Sequence, residues 1–365
     1  MTGPAADPLD DAEVARRFDP GDMLGAIASL PGQLPAAWGK SRGLLVPESY
    51  RGVTTVLVLG VGGSAIGADL VRAVFADRLR VPVIALRDYV LPAFAGPSTL
   101  AVASSHSGRT EETLATLEQA AAAGCRLAVV TSGGPLLAVA RQAGLPLLEC
   151  PPEGPPRVSV GWSTILLAGL LERAGLLDID QHEVEAAAAA AGAMVLCCEP
   201  GVPSAANPAK RLAWSFVDRI PVIEAGGFLA PVARRWKTQL NENGKSTAAF
   251  EELPEATHNA VVGYAQPASI DQGLFVVFLV SPDDHPRIAQ RAALSGELLD
   301  ERRILHETVT AAGEGRLAQA FSTMVLGDFA SAYLALLYGA DPTSAPAIAW
   351  VKERLEGKSE EAKEG

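Results

Sequence analysis

The run Val53-Thr54-Thr55-Val56-Leu57-Val58-Leu59 carries no charge and is rich in β-branched residues. A strand of that composition has to be covered on both faces, which is the situation of a central strand in a parallel sheet. Gly60-Val61-Gly62-Gly63-Ser64-Ala65-Ile66-Gly67 follows it, and then a helical stretch, Ala68 to Phe75. The same unit recurs. Strands are predicted at Val81–Leu86, Thr99–Ala103, Arg126–Val130 and Pro146–Leu148, with helices at Glu111–Ala123 and Leu136–Gln142 between them. Regular alternation of strand and helix predicts an α/β fold with a parallel sheet between helical layers. Ligands of such sheets bind beyond the carboxyl ends of the strands.

Two turns would meet on that edge. The second reads Ser104-Ser105-His106-Ser107-Gly108-Arg109-Thr110 and leads into Glu111 to Ala123, a stretch of strong helix formers. A strand-to-helix turn directs free N–H groups and the positive end of the helix dipole at one point. Hydroxyl side chains add neutral donors beside them. This chemistry suits a phosphate monoester. One hydroxyl would satisfy an ordinary N-cap, and four with a glycine in seven residues exceed that need. No Gly-Lys-Ser/Thr follows, so the turn is not a Walker loop. The glycines of the first turn, Gly60, Gly62 and Gly67, do not fit the dinucleotide spacing, and Asp88 is not in clear ribose-binding register. Close backbone approach to a ligand at Gly62, Gly63 and Ser64 is the simpler expectation, with no redox cofactor.

The 365 residues are enough for two domains. Lys and Arg number 30 against 42 Asp and Glu, a net charge of −12, which argues against binding nucleic acid or an anionic membrane. Cys125, Cys150, Cys197 and Cys198 fit neither a zinc site nor a secreted disulfide framework, so no metal is expected. Met1 to Asp22 has no signal-peptide pattern, Met1 to Asp11 is expected to fray, and fully apolar runs such as that around Ile165 to Leu171 are far below a membrane span. These features predict a soluble cytoplasmic protein.

Toward the N-terminus, one helix is predicted from Met23 to Leu30-Pro31 and a second over Gln33–Trp38. Beyond the Pro-rich segment Pro151–Pro156 lie Arg157 and helices at Gly161–Ala174 and Gln181–Cys198, the latter with a poly-Ala segment suited to packing. Pro200-Gly201-Val202-Pro203 marks a boundary between an N-terminal domain, 1–199, and a C-terminal domain, 200–365. The second half echoes the first weakly, with Ile220–Gly227 resembling Val56–Gly63 and Leu274–Val280 leading to Ser281-Pro282-Asp283-Asp284-His285. Two carboxylates stand there in place of hydroxyl donors, so only the first copy is expected to bind phosphate.

The polar helix Arg234 to Lys245 places Glu242 between Asn241 and Asn243 at its C-terminal end. An anion is unfavourable there, so Glu242 is either solvated or held for use as a base. Pro254-Glu255-Ala256-Thr257-His258-Asn259 is a loop bearing one of five histidines. These motifs occur in one order: Gly62-Gly63-Ser64, Ser105-x-Ser107-Gly108-x-Thr110, Pro156-Arg157, Asn241-Glu242-Asn243, Pro254-Glu255-x-x-His258-Asn259, Gly327-Asp328, Tyr333-Leu334-Ala335, Asp341-Pro342 and Lys352. In this the chain resembles the bifunctional phosphoglucose/phosphomannose isomerases of the sugar isomerase (SIS) domain superfamily, from about Met23 to Leu355.

The resemblance implies two SIS-type αβα sandwich domains with terminal helices. It implies a metal-independent aldose–ketose isomerase that interconverts glucose 6-phosphate or mannose 6-phosphate with fructose 6-phosphate through a cis-enediol. It places the phosphate on Gly63, Ser64, Ser105, Ser107 and Thr110, the base at Glu242, the ring-opening histidine at His258, the enediolate-stabilising cation at Arg157 and a C-terminal lysine at Lys352. It also implies a homodimer in which His258 serves the neighbouring subunit. His106 replaces a more usual aromatic residue, Arg109 an Asn and Gly244 an Ala, and Ala260 stands where an acidic residue is common. The competing expectation is a sugar-phosphate-binding regulator on the same fold, which would need only the phosphate turn.

Overall fold

The computed structural model describes residues 7–152, 154–355 and 357. Its first sheet contains β1 (Thr55–Leu59), β2 (Val83–Leu86), β3 (Thr99–Ser105), β4 (Arg126–Thr131) and β5 (Leu147–Glu149), in the order β2-β1-β3-β4-β5. Its second contains β6 (Ile220–Gly226), β7 (Ala249–Leu253), β8 (Leu274–Val280) and β9 (Leu305–Thr310), in the order β7-β6-β8-β9. Every pairing is parallel. Strands β6 to β9 repeat the order of β1 to β4, so the weak echo in the sequence is a repeat of topology.

Helices α1 (Ala12–Phe18), α2 (Met23–Ala28) and α3 (Leu30–Arg42) precede the first sheet. Its crossovers and outgoing helices are α4 (Gly63–Val74), α5 (Glu111–Ala122), α6 (Gly134–Gln142), α7 (Val160–Arg173) and α8 (Gln181–Cys198). The second half contributes α9 (Pro208–Phe216), α10 (Ala230–Glu242), α11 (Ala260–Gly263), α12 (Ile270–Gly273), α13 (Pro286–Glu301), α14 (Gly315–Leu337) and α15 (Pro346–Leu355).

Side-chain alternation along the strands explains why they are apolar throughout. Val56, Val58, Leu100 and Val102 face one core, and Leu57, Leu59, Ala101 and Ala103 face another under α5 and α6. In the second sheet Phe275, Val277 and Leu279 face the first of these cores, while Val276 and Phe278 face a third under α13. The first core therefore lies between the two sheets and crosses from one half of the chain to the other. It is filled by α3, α4, α7, α8, α10 and α14. The poly-Ala helix α8 packs along α14 and α3, with Val184, Ala187, Ala191 and Val195 buried. Helix α14 is long and apolar enough to cross a membrane by length and composition, but 94% of its apolar window is buried here.

Three expectations need correction. The helix expected at Gln33–Trp38 is the middle of α3, and Pro31 begins it instead of ending the one before. Proline fits a first helical turn, where its missing N–H has no intrahelical acceptor to serve. The helix expected from Ala68 begins at Gly63, so the glycine turn is itself the first turn of α4. Asp7 to Asp11, expected to fray, is held: Asp10 Oδ1 accepts from Ser204 N at 2.8 Å, Ser204 Oγ at 2.9 Å and Lys210 Nζ at 2.9 Å. Lys210 is fully buried and requires an anion. The rest of that expectation, Met1 to Ala6, lies outside the described residues.

Candidate active site

The Ser-rich turn emerges at the carboxyl end of β3. Ser105 Oγ and Thr110 Oγ1 are 2.7 Å apart, and Gly108 N donates to Ser105 Oγ at 3.1 Å. Thr110 stands at the N-cap of α5, yet its hydroxyl does not cap the helix. The ordinary capping explanation therefore fails, and the first turn of α5 keeps its N–H groups directed at the turn. Ser107 is exposed, with its Oγ accepting from Arg109 N at 3.3 Å.

A neighbouring turn holds this one rigid. His106 O accepts from Ser132 N at 3.1 Å and Oγ at 2.5 Å, and Gly108 O accepts from Leu136 N at 3.1 Å. Gly108 has φ +64°, and a Cβ there would lie 1.8 Å from Gly133 O. No other residue permits that approach.

The first glycine turn also makes a close approach within the chain. A Cβ on Gly63 would lie 2.9 Å from Pro156 O and 3.5 Å from Arg157 Cα. The space on the Cβ side of Gly63 is filled by this chain's own backbone, while a Cβ on Gly62 would meet nothing within 4 Å. The consequence is functional: the segment carrying Arg157 is seated against Gly63, the start of α4 and Ser64. Ser104 Oγ lies 3.5 Å from Ser64 O, which ties the two turns together.

Arg157 is 8% exposed and reaches the opposite half of the chain. Its Nε donates to Asn243 Oδ1 at 2.6 Å, and its Nη2 donates to Pro342 O at 2.7 Å and Thr343 O at 2.8 Å. Its Nη1 lies 3.6 Å from Glu242 Oε2. Glu242 is the last residue of α10, with its side chain 32% exposed, so the carboxylate is neither in bulk water nor sealed off. Burial lowers the proton affinity of Arg157, and Glu242 is the strongest influence opposing this.

Packing of α10 on α14 positions Glu242. Arg235 and Asp328, both almost fully buried, form an ion pair, and Arg235 Nη2 donates to Arg157 O at 2.9 Å. Trp236 Nε1 donates to Thr323 O at 2.9 Å. Gly327-Asp328 thus serves the α10–α14 contact, and Asp341-Pro342 supplies a carbonyl to Arg157.

Sequence reasoning passed over Asn243 and Lys245. Lys245 has φ +55°, and its Nζ donates to Glu242 O at 2.5 Å and Pro342 O at 3.2 Å. Burial, followed by the neighbouring Arg157, pushes its ammonium below the ordinary lysine range. Asn243 was visible in the Asn-Glu-Asn motif. The carbonyls of Pro342 and Thr343 have no sequence signature.

His258 and Lys352 are not brought to this cluster. His258 closes a 3₁₀ turn, Glu255–His258, at the carboxyl end of edge strand β7. It is exposed, and among the described residues it has no hydrogen bond or ion pair. The segment after it is anchored by Tyr264, whose hydroxyl donates to the fully buried Glu224 at 2.6 Å. Lys352 is exposed on α15, a helix with no buried residue.

The second copy's turn is built differently. Ser281 N donates to Asp284 Oδ2 at 2.8 Å and Asp283 N to Ser281 Oγ at 2.8 Å. The N–H groups of Ser281 and Asp283 are occupied by its own side chains, and Asp283 and Asp284 put carboxylates where the first turn has hydroxyls. A cavity of about 780 Å³ lies beside it, with Arg72, Arg80, Asp284 and Arg316 in its lining, and includes none of the Arg157–Glu242 cluster. Among the described residues no three His, Cys, Asp or Glu side chains form a metal-holding group.

Two parallel sheets of matching topology define a protein of the SIS class, and here one switch point carries a rigid hydroxyl turn beside an Arg–Glu pair. The family profile described as the bacterial phospho-glucose isomerase C-terminal SIS domain matches residues 205–355. The bifunctional phosphoglucose/phosphomannose isomerase of Caldicellulosiruptor bescii is 36% identical over 91% of this chain and 98% of its own length. That of Aquifex aeolicus is 31% identical over 84% and 91%. A crystal structure of a hypothetical protein from Thermus thermophilus matches the fold with TM-score 0.74 at 21% identity, covering 96% of this chain and 93% of the other. The chain belongs to the bifunctional phosphoglucose/phosphomannose isomerase family.

Proposed function

We propose that this protein interconverts glucose 6-phosphate, mannose 6-phosphate or both with fructose 6-phosphate. The observation that carries the reading is the Arg157 Nη1 to Glu242 Oε2 approach of 3.6 Å, on a segment seated against Gly63. Moving a proton between C2 and C1 needs a base over both carbons and a cation for the charge that develops on O1 and O2. Glu242 is the base and Arg157 the cation. Ser64, Ser105, Ser107 and Thr110, with the backbone at Gly63 and the start of α5, hold the phosphate. Binding energy far from C1 then orients the reacting carbons. Ring opening falls to His258 and Lys352. Neither reaches the cluster within one chain, which supports a homodimer in which His258 completes the neighbouring subunit's site.

The deciding experiment is incubation of the pure protein with each aldose phosphate, following formation of fructose 6-phosphate with and without EDTA. Turnover is expected and should survive chelation, because every proposed step is proton transfer by side chains. Binding without turnover would leave a sugar-phosphate regulator, and loss with EDTA restored by zinc would replace the mechanism. A cytoplasmic location is part of the same proposal, and the net charge of −12 supports the absence of nucleic-acid and anionic-membrane partners.

The double variant Ser107→Ala/Thr110→Ala should raise KM, each lost hydrogen bond to the phosphate dianion being worth roughly 1.5–3 kcal/mol. Wild-type kinetics in that variant would remove the turn from substrate binding. Mixing inactive Glu242→Gln with inactive His258→Ala should restore part of the activity through heterodimers that own one intact site. Subunit exchange without any recovery would place His258 outside the neighbour's site.

A further inference from the structure

We infer that Asn243 is a positioning residue that holds Arg157 in orientation through a neutral acceptor, leaving its Nη1 edge to Glu242 and the substrate, an inference that rests on the roles proposed for Arg157 and Glu242. A guanidinium has five N–H groups and no acceptor. Three are engaged, at Asn243 Oδ1, Pro342 O and Thr343 O, at 2.6, 2.7 and 2.8 Å. All three acceptors are neutral. The remaining edge, Nη1, faces Glu242. An arginine gripped this tightly is usually held by a carboxylate, in a bidentate pair that cancels its charge. Here orientation comes from neutral acceptors, and the Nη1 edge, 3.6 Å from Glu242 Oε2, presents the charge beside the base, where an enediolate would form.

The hydrogen-bond network fixes which end of the Asn243 amide meets Arg157. Ser331 Oγ donates to Asp328 O at 2.7 Å, so its oxygen is left to accept from Asn243 Nδ2 at 3.0 Å. Arg157 offers only donors, so Oδ1 must point toward it. Asn243 is fully buried and its backbone N–H donates to Gln239 O at 2.7 Å, which keeps the amide from swinging away. The charged groups facing Arg157 are Glu242, Lys245 and Arg235 from α10 and its end, Asp328 from α14, and Asp341 from the loop ahead of α15. Asp328 is engaged by Arg235, and Asp341 accepts from Thr343 N at 2.8 Å. Neither carboxylate grips Arg157 directly, and the residue that touches its Nε is an amide.

The test compares Asn243→Ala with Asn243→Asp in the full-length enzyme, reading kcat, KM, Tm and the pH profile of kcat/KM. Asn243→Ala frees the guanidinium and should lower kcat about tenfold with KM little changed, a loss of one decade in the usual rate scale. Asn243→Asp keeps the acceptor and the shape but sets an anion on Nε. It should lower kcat about a hundredfold with Tm held or raised. The added carboxylate also shares Arg157 with Glu242 and repels it, so the acid limb of the profile should move to higher pH. The inference is overturned by wild-type kcat in Asn243→Ala, by an aspartate variant no slower than the alanine one, or by losses that follow Tm with the acid limb in place. If the aspartate variant does not fold, kcat and KM of the alanine variant decide. Absence of turnover in the wild type, or full activity in an Arg157 variant, would instead sink the proposed roles themselves.

Discussion

Glu242→Gln is expected to lower kcat by roughly 10²–10⁴, the usual worth of a positioned base. Glutamine keeps the size of the side chain and can still lie near Arg157 Nη1, but it accepts no proton. KM should change little, because the hydroxyl turn supplies most ground-state binding. A second readout separates this base from a merely structural carboxylate. A proton held on a side chain that is 32% exposed can leak to solvent before it is returned, so the wild type should exchange the C2 proton of substrate with deuterium from water. In the glutamine variant, exchange and isomerisation should vanish together. Near wild-type turnover would return Glu242 to the status of a solvated helix end.

Arg157→Lys should be almost as damaging, with kcat down by about 10²–10³, the scale found when a donor to a developing oxyanion is removed. Lysine keeps the charge. It cannot reproduce a fork that meets Asn243, Pro342 and Thr343 at once while presenting a further edge to Glu242. The acceptors on Asn243 and Pro342 are buried and that on Thr343 partly so, and stability should also fall, by about 1–3 kcal/mol for each buried one that finds no new donor. Measuring kcat well below the melting transition separates the two effects. A lysine variant with wild-type kcat would mean that Arg157 acts only as a bracket between the halves of the chain.

The contrast between Arg157 and His258 shows how far sequence reasoning could reach. Both stood in recognisable motifs. Arg157 can be placed within one chain because Gly63 admits its backbone and α10 and the Pro342–Thr343 segment receive its side chain. The side chain of His258 lies at the carboxyl end of β7 with nothing to pair with among the described residues, and the role proposed for it calls on a second subunit. Lys352 has the same standing on α15. The glycine turn shows a subtler limit. Its glycines signalled close backbone approach, but composition could not say that at Gly63 the approaching backbone is Pro156.

Local patterns were enough for the class of fold and the make-up of the turns. Charge-free β-branched runs need cover on both faces, helix formers between them supply it, and hydroxyls clustered at a strand end are visible within a few residues. The repeat was legible for the same reason, since the order β7-β6-β8-β9 follows from repeating the local units of β2-β1-β3-β4. How the two copies meet was beyond any local pattern. The central core between the sheets, the seating of α10 on α14, and the cage of neutral acceptors around Arg157 join residues far apart in the chain. Two of those acceptors are main-chain carbonyls, which every residue possesses. Their selection depends on where the backbone passes, and that is set by packing.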